Sequence, residues 1–381
     1  MIMTYSRRHA LRNIAAVGAG ALFCPRIAFA AVPGDRRFVF VIQRGAADGL
    51  NIVVPHGDPG YAAARGALAI DPANMIKLDG MFGLHSALKE TGRMYADGQA
   101  LALHAVASSY RERSHFDGQN VLETGGNRPY AIKDGWMNRL VSLMPGTHAE
   151  PIAFAPIVPL ALRGAAPVTS YASSSLPRAT DDLMARVEGL YASDAALHAL
   201  WSAAMATRAQ AGEDAGGQDP AALGRLVAGF LARPDGPRVA MIETGGWDTH
   251  SGQGGRMATQ LKRLDAMLAA LRDGMGTVWS KTIVLVATEF GRTVAANGTG
   301  GTDHGTASAT LLVGGAVQGR KVLADWPGLS PGALHEGRDL RPTMSLEVVI
   351  GNVLAQSYGI DPGKLFSATK PIEHIGGLLR S

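Results

Sequence analysis

An α/β fold with a mostly parallel central sheet flanked by helices is predicted by three observations. Short, continuous apolar runs (Arg36 to Gln43, Leu101 to Val106, Arg238 to Glu243 and Thr282 to Thr288) read as strands buried on both faces. They alternate with stretches of helical apolar spacing, the pattern of parallel strands joined by crossover helices. The runs stop abruptly in glycine, charged or polar residues. Parallel strands end on the same side of a sheet, so these stops share one edge, where such folds carry their sites.

The first strand breaks into Arg44-Gly45-Ala46-Ala47-Asp48-Gly49-Leu50-Asn51. Asp48 reads either as a site carboxylate or as a helix cap. A helix is expected over Ser86 to Asp97, then the Leu101 to Val106 strand, in which His104 reads as a core histidine. Next comes a polar cluster, Ser108 to Gln119, running into a helix over Phe116 to Glu123. Ser114 lies at that helix's start, where free N–H groups and the dipole stabilise an anion, so it reads as a nucleophile or as a plain N-cap. Gly164 to Pro177 reads as an excursion from the sheet. Asp181 to Gln210 has helical spacing, with Leu183, Val187, Leu190, Leu197 and Leu200 as the expected buried face. A flexible loop (Ala211 to Asp219) and a helix (Ala221 to Ala232) follow. The next strand runs into Thr244-Gly245-Gly246-Trp247-Asp248-Thr249-His250. Arg256 to Leu271 is an amphipathic helix, with Met257, Leu261, Leu264, Leu268 and Leu271 as core. The Thr282 to Thr288 strand delivers Glu289-Phe290-Gly291-Arg292 and a glycine-rich loop ending in Asp303-His304-Gly305. A last strand (Ala309 to Val313), a polar turn (Gly337 to Thr343) and a closing helix (Ser345 to Tyr358) complete the chain.

With 381 residues, 46% hydrophobic and 18% charged, the chain is globular in composition. The first thirty residues hold Arg7, Arg8, Arg12 and Arg26 and no acid; the remaining basic residues equal the 32 acidic ones, so the +4 charge is no argument for nucleic acid. Ser6-Arg7-Arg8-His9-Ala10-Leu11 resembles a twin-arginine motif, followed by an apolar stretch and a small-x-small site at Ala28-Phe29-Ala30. Residues 1–30 are therefore expected to be a signal peptide, and residues 31–381 a single domain with a helical insertion around 164–232. The expected location is periplasmic or secreted, with no membrane contact after cleavage. The only cysteine, Cys24, falls inside the signal, which leaves the mature chain without disulfide or thiolate ligand.

Carboxylates and imidazoles without thiolates suit a divalent metal, Zn, Mn, Mg or Ca. Asp248 and His250, two apart after a strand, can reach one ion. Asp303 and His304 are adjacent, so in an extended stretch they serve two ions, or one ion and one supporting partner. A metal beside a hydroxyl nucleophile implies attack on a phosphoryl or sulfuryl centre, with arginines holding the charge.

RGAADGLN (44–51), FGLH (82–85), RSHFDGQ (113–119), GGWDTH (245–250), ATEFGRT (287–293), GGTDHGTAS (300–308) and EGRDLRPT (336–343) together resemble the secreted twin-arginine proteins of domain-of-unknown-function family 1501. That resemblance implies an alkaline phosphatase/sulfatase-like fold and superfamily. It implies Asp48, Glu243, Asp248, Asp303 and His304 as metal ligands, to which the strand-end pattern adds His250 and Glu289. It implies Ser114 as nucleophile; Arg113, His115 and Arg292, from the neighbouring polar motifs, are the further catalytic candidates. Three features depart from the superfamily pattern: His250 lies two rather than four residues after Asp248, Glu289-Phe290 stands where the Asp-His pair normally follows its strand, and the usual further His has no clear match beyond His335. The expected function is hydrolysis of a phosphate or sulfate ester, on a small-molecule or glycan substrate. The alternative is a non-catalytic binding or assembly protein with a secreted partner.

Overall fold

The apolar runs form the centre of a nine-stranded sheet. The computed structural model describes residues 35–144, 150–172, 180–211, 219–367 and 374–380. The twin-arginine segment and Cys24 lie outside them. Strands in chain order are β1 (Arg37–Gln43), β2 (Val53–Val54), β3 (Met75–Lys77), β4 (Gly83–His85), β5 (Ala100–Ala107), β6 (Ile152–Phe154), β7 (Thr169–Ser170), β8 (Val239–Thr244), β9 (Thr282–Ala287), β10 (Ser308–Val313), β11 (Val322–Leu323) and β12 (Met344–Ser345). The main sheet runs β11-β5-β10-β9-β1-β8-β6-β7, with β12 also on β5; β2, β4 and β3 make a small antiparallel sheet. Every main-sheet pairing is parallel except the two made by β10.

Residues of β1 alternate between two cores. Val39 and Val41 enter one face, Phe38, Phe40 and Ile42 the other. The Gln253–Met275 helix covers the first face, and its Met257, Leu261, Leu264, Leu268 and Leu271 are all buried, as their spacing predicts. Burying each such side chain stabilises by about 1.5–3 kcal/mol. The Leu346–Tyr358 helix covers the second face.

Two elements differ from expectation. The 164–177 excursion carries an edge strand, β7, paired with β6. The 181–210 helix is two helices, Asp181–Tyr191 and Ala195–Ala211, and Leu183, Leu190, Leu197 and Leu200 are exposed rather than buried. Helical spacing specifies an apolar stripe, but burial also needs a facing surface, which the described residues do not give these four leucines.

Register sets the site. Gln43 pairs with Thr244, and Ile42 with Ala287, so β1, β8 and β9 end level. Because β10 is antiparallel, its amino end lies at that same edge, and Asp303-His304 arrive there from the opposite direction. Pro33–Ser381 forms one compact unit. Among the described residues no helix is long and apolar enough to cross a membrane.

Candidate metal centre

Four loops meet at this edge. Asp248 and His250 come from the loop after β8, His115 from the first residue of the His115–Thr124 helix, and His304 from the loop before β10. Gly45, at φ +118°, lets the first loop in: a Cβ there would stand 2.6 Å from the Asp248 nitrogen. Gly301 does the same for the last loop, where a Cβ would meet the His250 carbonyl carbon at 2.2 Å.

Three imidazoles surround the Asp248 carboxylate. His250 Nε2 is 3.0 Å from Asp248 Oδ1, His304 Nε2 is 3.4 Å from the same oxygen, and His115 Nε2 is 3.5 Å from Oδ2. Ligand atoms of His115, Asp248 and His304 lie within 4.8 Å of one another. The Nδ1 atoms fix the tautomers. His115 Nδ1 lies 2.8 Å from Glu289 Oε1, His304 Nδ1 2.8 Å from the Arg113 carbonyl, and His250 Nδ1 3.2 Å from Asp303 Oδ1. All three of these partners only accept, so each holds its ring through an Nδ1–H, and each Nε2 faces the Asp248 carboxylate. His250 Nε2 and His304 Nε2 stand 3.0 Å apart, and His115 Nε2 is buried with no hydrogen-bond partner. Three Nε2 atoms gathered about one carboxylate make this a candidate cation site. Imidazoles oriented by a carboxylate or a carbonyl behind them are the usual support of a metal ligand.

Glu289 is fully buried and accepts from Gly45 N–H (2.8 Å), Gln119 Nε2 (3.0 Å) and Thr288 Oγ1 (3.0 Å) as well as His115. Burial opposes its charge, but the His115 and Gln119 hydrogen bonds prevail and hold its pKa below the ordinary value. The Glu289 bond in turn raises His115 against its own burial. Asp248 is lowered: burial works against ionisation, and the Arg292 hydrogen bond and charge outweigh it. The Asn297 hydrogen bond lowers Asp303, and burial lowers His304.

The remaining expected site residues have other company. Asp48 is buried; its Oδ2 accepts from Arg65 Nη2 and Gln253 Nε2, both at 2.5 Å, and its Oδ1 caps Leu50 N–H at 3.0 Å. Three donors hold it in the scaffold, and it is not in the group gathered with the imidazoles. Glu243 is taken by Arg44. Arg292 is buried and donates to Asp248 (2.6 Å) and to Thr302, so it positions the aspartate rather than facing a substrate. Arg113 pairs with Asp339 and Glu336. It has φ +63°, a strained value for a residue with a side chain, and the turn aims its carbonyl at His304. Ser114 sits at the N-cap of the His115–Thr124 helix without making a side-chain cap bond. Its N–H donates to Tyr110 Oη at 3.1 Å, and its hydroxyl reaches the same phenol.

Gln119 and Gln253 were not singled out from sequence. Gln119 was findable, since it lies one helical turn from His115 on the same face. Gln253 was not: its role depends on Asp48, Thr249 and Thr302, all brought to it only by the fold.

The chain matches the family described as "Protein of unknown function (DUF1501)" over residues 35–369 and belongs to it. No curated protein sequence matches the chain. Similar solved structures include Ps i-CgsB in complex with k-i-k-neocarrahexaose (10% identity, 88% of this chain and 74% of that one, TM-score 0.45). A protein in the alkaline phosphatase superfamily from Vibrio parahaemolyticus is similar at 12% identity, over 76% of this chain and 62% of that one, with TM-score 0.40. A mutant TAB5 alkaline phosphatase with Mg bound is similar at 10% identity, over 76% and 93%, with TM-score 0.37.

Proposed function

We propose that this chain is an exported, metal-dependent hydrolase of phosphate or sulfate esters, with Ser114 as nucleophile. The observation that carries the reading is the convergence of three imidazole Nε2 atoms on the Asp248 carboxylate, each ring held from behind by an acceptor. Asp248, His115 and His304 would hold the ion, with His250 beside them and Asp303 and Glu289 supporting. A donor set this rich in imidazole suits zinc better than calcium or magnesium. When bound, the cation supplies positive charge at the ester's oxygens.

The chain's own residues would do the rest. The start of the His115–Thr124 helix presents free N–H groups and its positive dipole end beside the Ser114 hydroxyl. That hydroxyl is free of the capping bond that an N-cap serine commonly makes. Arg113 adds a guanidinium to the same turn, and Arg292 keeps Asp248 ionised and in place.

Elemental analysis combined with turnover of an aryl phosphate and an aryl sulfate tests the reading. About one zinc per chain is expected. Ser114→Ala is expected to keep the metal and lose turnover. Metal-free protein without hydrolysis of either ester would remove the proposal.

The exposed Leu183, Leu190, Leu197 and Leu200 favour a second reading, a periplasmic assembly protein that keeps this fold and docks a secreted partner there. Under it, Ser114→Ala has no phenotype, whereas Leu190→Ser with Leu200→Ser abolishes complex formation.

A further inference from the structure

Beside the imidazole cluster lies a cavity of about 770 Å³, bounded by the Tyr61–Arg65 helix, the loop at 293–297 and the segment 329–338. Its walls are mainly aliphatic: Ala63, Ala64, Val294, Leu329 and Leu334 contribute, with Val294 and Leu329 fully buried. Two charged residues complete it, Asp303 and Arg338. Both belong equally to the cluster: Asp303 Oδ1 is 3.2 Å from His250 Nδ1, and Arg338, paired through Nε with Asp339 at 3.3 Å, donates from Nη2 to the His304 carbonyl.

Two polar side chains of the wall, Asn297 and Thr293, are already committed. Asn297 donates to the His250 carbonyl (2.9 Å) and Asp303 (3.2 Å), and its Oδ1 accepts from Thr299 and Gly301. Thr293 Oγ1 donates to the Ala295 carbonyl and accepts from Asp303 N–H, both at 3.0 Å. Among the described residues no aromatic ring lines the cavity. A sugar would therefore meet no stacking face among these residues, and neither Asn297 nor Thr293 is free to bind it. An apolar group would meet aliphatic walls, and the volume lies within the ~300–1,000 Å³ range of small-molecule sites.

We propose that this cavity binds the apolar portion of an anionic ester, an aryl or medium-length alkyl group, with the charged end at Arg338 and the Asp248 cluster. The proposal rests on the ester-hydrolase reading and narrows its substrate from esters in general to amphiphilic ones, away from glycans.

The probe is 8-anilinonaphthalene-1-sulfonate, an amphiphilic anion with no ester to cleave, titrated by fluorescence into the full mature chain. Ala63→Trp fills the cavity from an exposed position and so spares the fold. Leu334→Asn makes the wall polar, and Leu190→Ser controls for apolar surface elsewhere. Both cavity variants are expected to weaken binding by at least about tenfold, and Leu190→Ser to leave it unchanged. Unaltered affinity in both cavity variants would overturn the proposal. Parallel assays with 2-naphthyl phosphate, 2-naphthyl sulfate and methyl phosphate separate the two readings. Cavity-dependent probe binding without hydrolysis of any ester would remove the hydrolase and keep the pocket. Hydrolysis of all three esters unaffected by Ala63→Trp would keep the hydrolase and remove the pocket.

Discussion

Asp48 follows β1 and Asp248 follows β8, two paired parallel strands that end level, yet the two carboxylates live in different chemistry. Asp48 is 1% exposed, and its oxygens are filled by Arg65, Gln253 and the Leu50 N–H. Asp248, with its side chain 43% exposed, accepts from Arg292 and faces the Nε2 atoms of three histidines. The difference teaches that a strand-end aspartate is not a ligand by position. Each of the two has a buried arginine, so the other counter-groups decide: Gln253 and the Leu50 N–H complete Asp48, whereas three imidazole Nε2 atoms stand around Asp248.

Mutating the closed site should produce the largest effect. Asp48→Ala strands the buried Arg65 guanidinium and is expected to cost about 3–5 kcal/mol in denaturant unfolding, without altering the metal affinity of the folded protein. A small stability loss would mean that Asp48 and Arg65 are not a scaffold pair.

Histidines sharpen the same contrast. His104 uses both ring nitrogens: Nε2 faces the Val53 carbonyl at 2.8 Å, and Nδ1 accepts from Ala105 N–H at 2.7 Å. Burial pushes its pKa from 6.5 down to about 4. Its folded pKa is depressed, so the unfolded chain takes up the proton first. Stability is full above pH 6.5 and falls as pH drops toward 4. The loss from this one group is about 3 kcal/mol and should be absent in His104→Gln, read by thermal unfolding across that window.

Behind the open site, Glu289→Gln removes the carboxylate that orients His115. It is expected to weaken zinc binding by about 10–100-fold, measured against a chelator. Smallest of all, Leu190→Ser on the exposed helix pair should change unfolding stability by no more than about 0.5 kcal/mol.

Much of this was readable from residues. The buried runs at β1, β8 and β9, the amphipathic face of Gln253–Met275, and His104 as a core histidine follow from local pattern. So does the delivery of polar motifs to one sheet edge. What local pattern lacks is partner identity. Nothing around Arg65, in an alanine-rich turn, says that it will neutralise Asp48, and nothing in the β10 sequence marks it as the antiparallel strand. The leucines of 181–211 have the spacing of a buried stripe and lie exposed, because spacing cannot supply the surface that would cover them.

The most direct measurement is a zinc titration of chelator-stripped protein by calorimetry, comparing the wild type with Asp248→Asn and Glu243→Gln. The account predicts one tight site in the wild type, retained in Glu243→Gln, where only an ion pair with Arg44 is lost, and abolished in Asp248→Asn. A wild-type chain that binds no zinc, or an Asp248→Asn variant that binds it as the wild type does, would contradict it.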